Sequence, residues 1–126
     1  MDQRILKHLR TFYKAGTRIE LERMDDVQAP PVGTRGTVRG VDDIGNIMVS
    51  WDNGSSLSLV YGKDSCWILA TVKTVCYGDE RVWDSREEAL EYFLEGMLNC
   101  EGSEQSRYAT IYAQLKSGAS YATDEE

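Results

Sequence analysis

The chain is poor in the residues that staple or metallate small domains. Its 126 residues include three cysteines (Cys66, Cys76 and Cys100), one histidine (His8) and two prolines. The cysteines lie far apart, form no C-x-x-C pair and are odd in number, so they suit neither a zinc ribbon nor a disulfide framework. Reduced thiols are expected, with no metal and no other cofactor. No apolar run approaches the roughly 20 residues that cross a bilayer, and the opening MDQRILKHLR lacks the apolar core of a secretory signal. A cytoplasmic protein without membrane contact is expected.

Catalytic signatures are also missing. There is no nucleophile elbow, no paired metal-ligand motif and no glycine-rich loop leading into a helix. Gly33, Gly36 and Gly40 lie in a strand and its approach, where they read as turn and bulge glycines. His8 borders an apolar helical stripe and reads as a packing residue. No catalytic residue is assigned, and the chain is not expected to be an enzyme.

Cations are outnumbered, 14 Lys and Arg against 21 Asp and Glu, for a net charge of −7. This disfavours a surface that tracks phosphates throughout. The charge is also uneven. Residues 1–18 carry five cations against one aspartate, residues 19–75 five against eight acids, and residues 76–126 four against twelve.

What is present suffices for a core, since a chain of this length buries about two-thirds of its unfolded surface. Ile5, Leu6, Leu9, Phe12 and Tyr13 recur at helical spacing, and Gly16 follows as a stop, which predicts an N-terminal amphipathic helix within residues 1–16. From Thr17 the period changes to two. Short β-branched and aromatic segments at Thr17–Arg23, Gly36–Val41, Asn46–Trp51, Ser56–Val60 and Cys66–Leu69 alternate with turn residues. Asn53-Gly54 predicts a tight primed hairpin turn. Five such strands over residues 17–71 predict a small SH3-like antiparallel β-barrel.

Residues 72–118 read as a β-hairpin about Gly78-Asp79-Glu80 followed by two helices. Ser85 to Glu88 spells a capping box that opens the first, with Ala89, Leu90, Phe93, Leu94, Met97 and Leu98 as its apolar stripe. Ser103 is the expected cap of the second, Tyr108, Ile111, Tyr112 and Leu115 its stripe, and Gly118 its stop. Residues 119–126 read as a frayed acidic tail. The fold class is α+β: a barrel with an N-terminal helix and a C-terminal hairpin plus two-helix extension.

Residues 15–64 carry Gly16-Thr17-Arg18, Met24-Asp25-Asp26, Ala29-Pro30-Pro31, Gly36-Thr37-Val38, Val41-Asp42-Asp43, Trp51-Asp52-Asn53-Gly54 and Tyr61-Gly62. This pattern resembles a small domain family of unknown function with an SH3-like barrel. The family is encoded mainly in phages and in conjugative or integrative elements of Gram-positive gut bacteria. The resemblance implies a fold and a mobile-element setting, and it carries no activity.

The expected function is a non-catalytic protein-interaction module. Glu87, Glu88, Glu91 and Glu95 should line the outer side of the first C-terminal helix, suited to a partner protein with a basic surface. Its specific form is an acidic inhibitor of a host defence nuclease, of the anti-CRISPR kind. Asp25, Asp26, Asp42 and Asp43 sit in expected loops, and Tyr61 is the expected surface aromatic of a peptide groove, with Trp51 assigned to the core. Turn chemistry accounts for the aspartates without a metal ion. The alternative is a nucleic-acid-binding accessory factor that uses Arg4, Lys7, Arg10, Lys14 and Arg18, joined by Arg35 and Arg39 of the barrel.

Overall fold

A computed structural model describes residues 1–125, which divide into two compact units, the first Met1–Leu69 and the second starting at Ala70. The first opens with α1 (Gln3–Phe12), whose first turn is capped by the Asp2 carboxylate accepting from the Arg4 N–H at 2.8 Å. Five strands follow: β1 (Arg18–Arg23), β2 (Arg35–Val41), β3 (Asn46–Trp51), β4 (Leu59–Val60) and β5 (Ser65–Ile68). They form one antiparallel sheet in the order β4-β3-β2-β1-β5.

The core of this unit lies on one face of the sheet. Ile19 and Leu21 alternate with Arg18 and Glu20 along β1, so the aliphatic pair is buried and the charged pair remains half-exposed. On β2 the register shifts between Val38 and Gly40, a bulge that re-phases the strand and lets Val38 and Val41 share the buried side. Gly36 is required by close approach, since a Cβ there would stand 2.8 Å from both the Trp51 ring and a Val49 methyl. Leu6 and Leu9 carry α1 onto this core, and the Gly16 N–H bonds the Val38 carbonyl at 2.8 Å.

The sheet is open where a closed barrel was expected. β4 and β5 are its edges and do not pair with each other among the described residues. Only Leu59 and Val60 of the expected strand 56–60 are extended and paired. The preceding carbonyls serve Trp51 instead: Ser55 accepts from its backbone N–H at 2.9 Å and Leu57 from its indole Nε1 at 2.8 Å. The turn also differs from the primed type. Gly54 alone has positive φ, Trp51 accepts from the Gly54 N–H at 3.0 Å, and the loop is a three-residue turn with glycine at its left-handed position.

The second unit holds β6 (Val72–Cys76), β7 (Asp79–Trp83), α2 (Arg86–Asn99), α3 (Gly102–Lys116) and β8 (Tyr121–Thr123). β6 and β7 pair across a two-residue turn, Tyr77-Gly78, in which both residues have positive φ. The primed turn therefore occurs here, one step before the expected Gly78-Asp79-Glu80. β8 adds to β6 in parallel, so the sheet runs β7-β6-β8. This corrects the frayed tail expected over 119–126: Ala122 is fully buried, and the helical run that separates β6 from β8 is long enough for a parallel return. Glu126, the last residue of that expected tail, lies outside the described residues.

Ser85 accepts from the Glu88 N–H at 3.2 Å and starts α2 as expected. Ala89 and Phe93 are buried, whereas Leu98 is 75% exposed and Leu94 39%, so the covered stripe is narrower than the sequence pattern. α3 begins one residue before Ser103, with Glu101 at the cap position and no side-chain cap bond. Its far end is held by Arg86, whose guanidinium donates to the carbonyls of Leu115 and Ala119 at 2.7 Å and of Gly118 at 3.2 Å.

Candidate functional site

Four surfaces carry the side chains singled out by the sequence. In the first unit, the apolar arc of α1 is wider than its own core covers. At 100° per residue, Ile5, His8 and Phe12 fall within about 60° of one another, beside the arc of Leu6, Leu9 and Tyr13. The sheet covers only the second arc. Ile5 is 39% and Phe12 55% exposed, and His8 stacks on Phe12 with ring centroids 5.9 Å apart. Tyr61, 52% exposed, faces the same side of the helix and closes a groove of about 390 Å³ with Asp2, Arg4, Ile5 and His8. Spacing alone placed Ile5 and Phe12 on the apolar face of the helix, and a five-residue stripe does not show how much of it a small sheet can reach.

The basic strip of α1 is broken up by the chain's own carboxylates. Arg4 pairs with Asp2 at 3.2 Å, and that guanidinium holds the Asp2 carboxyl below the usual aspartate range. Arg10 pairs with Asp43 at 2.8 Å and also reaches the Val41 carbonyl. Arg18 pairs with Asp52 at 2.7 Å and bonds Thr37, and Arg35 pairs with Glu20 at 3.4 Å. Lys7, Lys14 and Arg39 are exposed and make no ion pair among the described residues.

The loop aspartates are divided between two tasks. Asp42 accepts from the backbone N–H groups of Ile44 and Asn46 at 3.1 and 2.8 Å, and Asp26 from that of Gln28 at 2.7 Å, which is turn chemistry. Asp43 is committed to Arg10, and Asp25 is exposed. No group of three His, Cys, Asp or Glu side chains suited to a metal ion occurs among the described residues. Trp51 is buried, and Trp67 stands 58% exposed on the edge strand β5. A polar groove of about 450 Å³ beside β4, lined by Gln28, Asn46, Ser56, Ser58 and Val60 among others, has no charged residue and left no signal in the sequence.

In the second unit, Glu87, Glu88, Glu91 and Glu95 are all exposed on α2. Glu87, Glu91 and Glu95 make no ion pair among the described residues. Nearby aromatics are spoken for: Arg81 lies 3.8 Å over the Trp83 ring, and Tyr108 is pushed up to about 12 by burial and the neighbouring Glu104 carboxylate. Burial also pushes the thiols of Cys66, Cys76 and Cys100 up, so each is held further from thiolate at neutral pH.

The first unit is thus a helix-bearing antiparallel meander whose fifth strand returns beside the first. It corresponds to the family described as Domain of unknown function (DUF4314), which matches residues 2–69, and the chain belongs to that family. No curated protein and no solved structure matches the chain. The α1–Tyr61 groove lies inside the family domain and the α2 glutamates lie outside it. No helix among the described residues is long and apolar enough to cross a membrane.

Proposed function

We propose that the chain is a non-catalytic protein-interaction module that docks the acidic side of α2 on a basic surface of a partner protein. One contrast carries this reading. Arg4, Arg10, Arg18 and Arg35 are matched by carboxylates of their own unit, whereas three of the four α2 glutamates face solvent without an ion pair among the described residues. Lys7, Lys14 and Arg39 of the first unit also lack an ion pair among the described residues, so the reading rests on the run of like charge along α2, at Glu87, Glu91 and Glu95. Such a surface steers toward cationic patches and competes there with phosphates. In its specific form the partner is the nucleic-acid-binding face of a host defence nuclease, a form supported by the resemblance to mobile-element domains.

Other features fit the same reading. An SH3-like barrel opened along one seam would give the order β4-β3-β2-β1-β5. The thiols are each raised by burial, and three unpaired cysteines suit the cytoplasm.

The test uses the full chain as bait in host lysate at low and moderate salt, beside a variant with Glu87, Glu88, Glu91 and Glu95 all changed to Lys. A protein retained at low salt by the wild type and lost with the variant supports the proposal. The same proteins retained by both overturn it. Tight, salt-dependent binding of labelled duplex DNA by the wild type would instead favour the nucleic-acid alternative.

A further inference from the structure

We propose that the outer strip of α2 at Leu94 and Leu98 receives a helix of the partner protein whose apolar stripe is bordered by lysine or arginine. The inference rests on the acidic docking of α2 proposed above and adds an apolar half to that contact.

The core takes only part of α2. At 100° per residue, Ala89, Leu90 and Phe93 span about 100° of the helix, and these three pack into the core of the second unit. Leu94 and Leu98 lie outside that arc, one turn apart, and are 39% and 75% exposed. Glu87 and Glu91 share their strip, since the four side chains fall within about 60° of one another. Glu95 stands about 40° further round, on the side away from the core. The strip thus runs from two carboxylates at the start of α2 to a leucine ridge at its end, over about 17 Å.

The borders of the ridge carry charge that the unit does not offset. Glu87, Glu91 and Glu95 make no ion pair among the described residues. The last turn of α2 has no basic residue, so the negative end of its helix dipole adds to them beside Leu98. A purely cationic surface would satisfy the carboxylates and leave both leucines in water. A purely apolar one would bury the carboxylates without counter-charge. A helix with an apolar stripe between cations meets both demands, because side chains four residues apart form a ridge that packs into the groove of a neighbouring helix.

The sign of the charge decides against other occupants. In a pair of α2 helices from two chains the glutamates would face their like, and duplex DNA or an anionic bilayer would be repelled by the same three side chains.

The probe is a fluorescein-labelled helical peptide of about five turns, with two leucines one turn apart and lysines on either side of them. It is titrated with the full chain at low and moderate salt and read by anisotropy. A matched peptide has both leucines replaced by alanine and keeps the charge. The leucine peptide should bind at least about tenfold more tightly than the alanine peptide at both salts, because salt does not screen the apolar difference between them. With Leu94→Ser and Leu98→Ser combined, that preference should fall to within about twofold while circular dichroism stays unchanged. If the double variant does not fold, Leu98→Ser alone, at the more exposed position, should cut the preference about threefold. The variant with all four α2 glutamates changed to Lys should lose both peptides. Binding of the two peptides within about twofold on the wild type, no binding of either, or a leucine preference undiminished by Leu98→Ser would each overturn the inference. If binding in such a case is still lost with the four-fold variant, the acidic reading of α2 stands without its apolar half. Leucine-peptide binding that survives the four-fold variant overturns both.

Discussion

Arg107 and Asp124 form an ion pair at 2.8 Å that ties the C-terminal strand β8 to α3. The Asp124 side chain is wholly shielded from solvent, and its Oδ2 also accepts from the Tyr77 N–H at 3.1 Å. Arg107 lies 4.5 Å over the Tyr77 ring. One acidic residue near the C-terminus thereby fixes the left-handed Tyr77 of the β6–β7 turn, a conformation that a bulky side chain rarely adopts.

A pH dependence follows from that pair. The Arg107 hydrogen bond, reinforced by the Tyr77 N–H, holds the Asp124 carboxyl below the usual aspartate range. A depressed acid stabilises the folded state above its unfolded pKa, and the contribution is lost as pH falls through the folded value. The second unit should therefore lose stability below about pH 4. In Asp124→Asn that part of the profile should flatten, with lower stability at pH 7, as read by thermal melts from pH 7 down to 2.

The buried hydroxyl of Thr74 accepts from the Trp83 Nε1 at 2.9 Å and is the partner of that indole across the β6–β7 ladder. Thr74→Val keeps the shape and orphans the indole N–H, which should cost about 1–3 kcal/mol. Thr74→Ser retains the acceptor and should cost less. Chemical denaturation followed by tryptophan fluorescence separates the two.

Two glycines of the first unit should respond for different reasons. Gly36→Ala drives a methyl into Trp51 and Val49 and should destabilise by about 1–3 kcal/mol through overpacking. Gly54 faces open space, so Gly54→Val acts only through its φ of +92° and should cost about 1–2 kcal/mol. A Gly54→Val variant with unchanged Tm would show that the turn bears no strain.

Local chemistry was legible in the sequence, and pairing across distance was not. The Ser85 cap, the Gly118 stop and the alternation of Ile47, Val49 and Trp51 depend on neighbours a few residues apart, and each stands where its pattern placed it. β8 was hidden because three residues, Tyr121 to Thr123, show no period of their own and become a strand only beside β6. The groove was half legible. Tyr61 announced itself as a surface aromatic, but Ile5 and Phe12 were not set apart from Leu6 and Leu9, since periodicity marks an apolar face without saying what covers it. The basic strip misled in the same way: Arg10–Asp43 and Arg18–Asp52 join residues more than thirty apart, which no spacing rule connects.

Those two long-range pairs can be turned into a test of what keeps the first unit from phosphates. Asp43 is exposed and Asp52 is exposed, so Asp43→Asn and Asp52→Asn should leave the core intact while removing two anions from beside Arg10 and Arg18. With Lys7 and Lys14 already outside any ion pair among the described residues, the double variant presents a more continuous cationic strip along α1. Its affinity for a labelled duplex should rise above that of the wild type and fall steeply with salt, each added phosphate contact steepening the slope of log affinity by about 0.9. Arg18 keeps its bond to Thr37, so part of the gain should come from Arg10 and disappear in Arg10→Ala made on the double variant. Anisotropy at two salt concentrations measures both terms. Equal and weak DNA binding by wild type and double variant would show that these carboxylates do not mask a phosphate site, and that Arg10 and Arg18 serve only to tie α1 and β1 to the neighbouring loops.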